Sequence, residues 1–95
     1  MSTKDEYIRK MHSRLDQLSN EIDVLAGKAN HAEDKVRAEY HQYVDALRSK
    51  QDDARHRISA LQQTSESAWE DMKAGVELAW DAISQAIDSA KSRFK

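Results

Sequence analysis

The run IRKMHSRLDQLSNEIDVLAGKANHAEDKV, residues 8–36, decides how this chain folds. Its apolar side chains fall at Ile8, Met11, Leu15, Leu18, Ile22, Leu25, Ala29, Ala32 and Val36, in steps that alternate three and four. An α-helix completes a turn in 3.6 residues, so a 3.5-residue repeat keeps all of these on one slowly winding stripe. The pattern predicts an amphipathic helix whose apolar seam supercoils left-handed against another helix.

Beyond Val36 the stripe continues through Tyr40, Tyr43, Leu47, Gln51, Ala54, Ile58 and Leu61. It then passes Ser65, Ala68, Met72, Val76, Ala79, Ile83, Ile87, Ala90 and Phe94. Extra four-residue steps push the period toward 3.6. The last third also reads as an eleven-residue repeat, Ser65/Val76/Ile87 with Ala68/Ala79/Ala90 and Met72/Ile83/Phe94, which predicts a straight or slightly right-handed segment. Trp69 and Trp80, eleven apart, lie within about 20° of each other on an ideal helix. The expected packing residues are therefore Ile8, Met11, Leu15, Leu18, Ile22, Leu25, Val36, Tyr40, Tyr43, Leu47, Ile58, Leu61, Trp69, Met72, Val76, Trp80, Ile83, Ile87 and Phe94.

Capping signals set the expected ends. Thr3-Lys4-Asp5-Glu6 and Ser67-Ala68-Trp69-Glu70 both have the capping-box pattern, and Lys91, Arg93 and Lys95 suit a helix C-terminus. Three stretches could interrupt the helix. Gly27 to His31 contains a glycine and an asparagine, but the stripe crosses it in register. Ser49 to Asp53 is polar. Gln62 to Ser67, a polar run leading into a capping box, is the strongest break. The expectation is an all-α domain over residues 1–95, with a long helix of about 4–63 and a second of about 67–94. The two would form a coiled-coil hairpin or bundle, with one continuous helix as the alternative.

Composition agrees. Hydrophobic residues make up 39% of the 95, charged residues 34%, and there is no proline. Sheets and loop-rich folds need turn residues that are missing here. An isolated helix buries almost nothing of such a stripe, yet ordering it costs about 1–2 kcal/mol per residue. A 28-residue second helix would cover only part of a 60-residue one. Self-association into a dimer or small bundle, or union with another helical protein, is therefore expected.

Other chemistries find less support. The 15 basic and 17 acidic residues are interspersed, without the basic excess of a nucleic-acid surface. Arg55-His56-Arg57 is the most basic stretch, but Asp52 and Asp53 adjoin it. His12/Asp16, His41/Asp45 and Asp52/His56 share helix faces at four-residue spacing, yet two ligands do not make a metal centre. There is no phosphate loop, nucleophile elbow or His-Glu-x-x-His pattern, so neither enzyme activity nor a cofactor is expected. The lack of cysteine and of an apolar leader points to the cytoplasm. A membrane surface is the alternative partner, because Trp69, Trp80 and Phe94 share an apolar face with Val76, Ile83 and Ile87.

The run SAWEDMKAGVELAWDAI, residues 67–83, resembles the C-terminal signature of a group of small bacterial coiled-coil proteins. Tyr7-Ile8-Arg9-Lys10-Met11, Leu15-Asp16 and Glu21-Ile22-Asp23 also look like theirs, so the likeness spans nearly the whole chain. It implies a coiled-coil fold and a loose connection with stress response. It implies no enzymatic activity, cofactor or binding residue.

Overall fold

The computed structural model describes residues 3–94 and is all-helical. Helix α1 spans Thr3–Asn30, α2 Asp34–Gln62 and α3 Trp69–Arg93, and no strand occurs among the described residues. The three pack lengthwise into a bundle of 51 × 19 × 18 Å. Asp23 meets Arg48 and Ser19 meets Gln51, so α1 and α2 run antiparallel. Tyr40 meets Phe94 while Arg57, further along α2, reaches Gly75, earlier on α3, so α2 and α3 do likewise. That leaves α1 and α3 parallel.

The expected break at 62–67 is present, as residues 63–68 connect α2 to α3. The expected uninterrupted helix of 4–63 is not. The chain turns at His31-Ala32-Glu33 and folds α1 back on α2. The His31 N–H still bonds the Gly27 carbonyl at 3.2 Å, and that of Ala32 reaches Ala29. Glu33 then goes extended, with φ −59° and ψ 149°, and its carbonyl accepts from Val36 and Arg37. Sequence register passes through this point, but the seam there holds only Ala29 and Ala32. A straight helix would gain little from them. Folding back lets the Ile8–Leu25 seam cover the seam of α2 within one chain, and hydrophobic burial decides the matter.

The Ser67 capping box does not form as read. Helix α1 already includes Thr3, so its cap position lies outside the described residues. Helix α3 is preceded by Ala68 with no side-chain cap, while Ser67 Oγ lies 3.3 Å from Ser65 Oγ. Trp69 burial, at 4% exposure, fixes this helix start instead.

The core follows heptads throughout. On α1 every expected position from Ile8 to Leu25 is buried, and Ala29 with them. On α2 the buried seam is Val44, Leu47, Gln51, Ala54, Ile58 and Leu61. Val44 thus takes the central place expected of Tyr43, whose ring, like that of Tyr40, is half-buried beside Phe94. On α3 the buried residues recur by sevens, Trp69/Val76/Ile83/Ala90 and Ile87/Phe94 with half-buried Trp80, so the eleven-residue reading gives way. Met72 drops out of the core at 39% exposure. Lys73 holds the place one heptad before Trp80, its ammonium 5.0 Å from the Tyr7 ring centroid and 5.6 Å from that of Trp69. A lysine over two aromatic faces covers apolar surface while its charge stays wet.

Gln51 is the one buried polar residue of the described core. Its amide donates to Ser19 Oγ at 2.6 Å and approaches the Leu15 carbonyl at 3.4 Å. Because a slip of α1 against α2 would strand that amide in apolar surroundings, it fixes their register.

Candidate interaction groove

Helices α1 and α3 are parallel but make few close backbone approaches, because rings fill the space between them. Tyr7 and Trp69 lie 5.8 Å apart, and the Arg14 guanidinium covers Trp80 at 5.9 Å. Tyr7 Oη donates to Glu77 at 2.8 Å, and Lys4 Nζ donates to the Thr64 carbonyl at 2.8 Å. Burial, then the hydrogen bond and charge of Glu77, push the Tyr7 phenol well above its ordinary range. At the other end, Phe94 stacks on Tyr40 at 4.2 Å and meets Tyr43 edge-on, while the Tyr40 hydroxyl donates to the Arg93 carbonyl. Helix α3 is pinned at both ends, and at Phe94 it stops.

Helices α1 and α2 continue past that stop. The face that α1 turns toward α3 beside Arg14, Gln17 and Glu21 recurs one heptad later as Val24 and Lys28. Past the end of α3 at Arg93, this stretch opens as a groove of about 770 Å³. Val24, Ala32, Val36 and Tyr40 supply apolar surface, and Lys28, His31, Glu33 and Lys35 line it with polar groups. Val24 is 60% exposed. Glu33 lies 3.6 Å from Lys35, whereas Lys28 makes no ion pair among the described residues, so the rim is basic on balance. Gly27 belongs to the wall, and a Cβ there would meet nothing within 4 Å. Apolar surface with a charged rim is suited to a helix face.

Of the residues expected to pack, Ile8, Met11, Leu15, Leu18, Ile22, Leu25, Leu47, Ile58, Leu61, Trp69, Val76, Ile83, Ile87 and Phe94 are buried together in one core. Tyr40 and Trp80 are half-buried against it. Val36, half-buried, lines the groove instead. Val24 was not among the expected residues. It sits two places after Ile22, off the heptad seam, and its β-branched side chain beside the thin Ala29/Ala32 stretch was the available signal.

Other recesses are slighter. A shallow one between α2 and α3, about 310 Å³, is edged by His56, Arg57 and Met72. Arg57 is held by Asp53 at 2.9 Å, and the Met72 sulfur receives the Thr64 hydroxyl at 3.0 Å. The histidine–aspartate pairs gain no third ligand, since no group of three suitable side chains exists among the described residues. Asp52 is bonded to Arg55 instead of waiting on His56. No described helix is long and apolar enough to cross a membrane. No protein-family model, curated protein or solved structure matches this chain.

Proposed function

We propose that this chain is a non-enzymatic helical interaction module whose open end binds an apolar helix face, from another copy or from another helical protein. The observation that carries this reading is the groove beyond Phe94, where Val24 stands 60% exposed between two helices that elsewhere enclose a third. The reason for association differs from the one the sequence suggests. Its main stripe is already satisfied inside the bundle, so association would use this residual surface and be reversible. In this reading the Tyr7 phenol, tied to Glu77 across the α1–α3 contact, serves packing.

A lipid surface is a weaker fit. Trp69, Val76, Ile83, Ile87 and Phe94 all face the core, so a membrane could reach them only by opening the bundle. Membership of the bacterial coiled-coil group, and with it any stress-related role, rests on the sequence resemblance at residues 67–83 and at residues 7–23. The cytoplasmic setting rests on the cysteine-free composition.

Anilinonaphthalene sulfonate, an apolar anion, tests the groove. Its fluorescence should rise on the native chain and fall back with Val24→Asp, whose helicity stays that of the wild type. An equal rise on both proteins would mean that the groove takes no apolar ligand.

A further inference from the structure

The outer face of α3 carries the opposite character to the groove. Val76 is buried and Leu78, two residues on and about 200° around an ideal helix, is 71% exposed, the most exposed large apolar side chain described. Ala74 and Ala82 flank it one turn away on either side, and both are exposed. Glu70, Asp71, Asp81 and Asp88 surround this small apolar ridge, and none of them makes an ion pair among the described residues. Between residues 70 and 88 the helix bears five acidic groups and one basic group, Lys73, which is turned inward over Tyr7 and Trp69.

We propose that the groove receives this α3 face from a second copy of the chain, in a head-to-tail contact. The inference rests on the groove reading above and names its occupant. Ala74 to Ala82 and Val24 to His31 each run about 10–12 Å along their helices, so ridge and groove match in length. Leu78 enters between Val24 and Val36, and the surrounding carboxylates approach Lys28 and Lys35. Lys28 on the groove and the carboxylates on the ridge are left over from intramolecular pairing, while Lys35 is shared with Glu33, so the match is one of sign as well as shape. The two patches differ, so each bound copy still offers one free groove and one free ridge. Growth continues into chains or rings and does not stop at a symmetric pair.

Sedimentation equilibrium over a dilution series at low salt tests this with the full chain. The wild type should gain mass with concentration past the dimer, and high salt should reverse much of it. Val24→Asp and Leu78→Asp should each be monomeric with wild-type helicity. Mixed in equal amounts they should form a one-to-one dimer, because one retains the ridge and the other the groove. A wild type that stays monomeric at every concentration overturns the proposal, as does a Leu78→Asp variant that assembles like the wild type. The sulfonate dye separates these failures from failure of the groove reading. Fluorescence that still depends on Val24 leaves the groove a binding surface for some other helix, and fluorescence indifferent to Val24 removes both.

Discussion

Ile22→Asp and Val24→Asp place the same charge two residues apart on one helix, and the bundle assigns them opposite consequences. Ile22 is completely buried between the helices, whereas Val24 is 60% exposed at the groove. Removing the Ile22 side chain leaves a cavity, a loss of about 2–5 kcal/mol. Placing a polar group without a partner there adds about 1–3 kcal/mol. Together these approach the whole stability of a domain this size, about 5–14 kcal/mol. Val24→Asp loses little burial, lies four residues before Lys28, and should stay within about 0.5 kcal/mol of the wild type. That corresponds to a melting shift below about 4 °C. Far-UV circular dichroism should therefore show a near-normal melt for Val24→Asp and little or no cooperative melt for Ile22→Asp. The effect also has a sign in pH. A carboxyl buried at position 22 would have a raised pKa, so the variant's deficit should shrink as pH falls toward about 4, where the unfolded chain also takes up the proton. If Ile22→Asp melted within a few degrees of Val24→Asp, the α1 seam would not lie inside a bundle.

Two further outcomes follow from the same packing. Gly27→Ala adds a methyl that meets nothing within 4 Å in a helix interior, so thermal melting should show about 0.5–1 kcal/mol of added stability, and a loss would contradict the placement of α1. The raised Tyr7 phenol means that the folded chain keeps its proton where the unfolded chain gives it up. Its stabilising contribution is complete below about pH 10 and is lost as pH rises beyond that, so denaturant midpoints should fall above pH 10 less steeply in Tyr7→Phe than in the wild type.

How much of this was legible depended on the kind of residue. The α1 seam could be read position by position, because each of its large apolar side chains is buried for the same reason it was noticed. Tyr43 was placed in the seam where Val44 belongs, because a tyrosine is apolar enough to extend a stripe but prefers a half-wet site with its hydroxyl reachable. Met72 extends the apolar stripe by residue type, whereas the inward place belongs to Lys73, a polar residue whose stem can roof two rings. In the sequence, nothing but Val24 beside the thin Ala29/Ala32 stretch hints at the groove. It exists because α3 ends near Tyr40 while α1 and α2 run on, and relative helix ends are a property of the packed bundle, not of any one segment's periodicity.

Helical character, the heptad spacing of α1 and the break before Trp69 belong to the sequence itself. They arise from local periodicity and from a chain with no proline and only two glycines. The turn at residues 31–33, the third helix it creates and the burial of the stripe within one molecule were decided by tertiary structure. At that turn the local preference for continuing the helix is worth at most tenths of a kcal/mol per residue, while covering each large apolar side chain is worth roughly 1.5–3 kcal/mol. Folding back recovers the larger sum, and that leaves Val24 and Leu78 as apolar surface still uncovered.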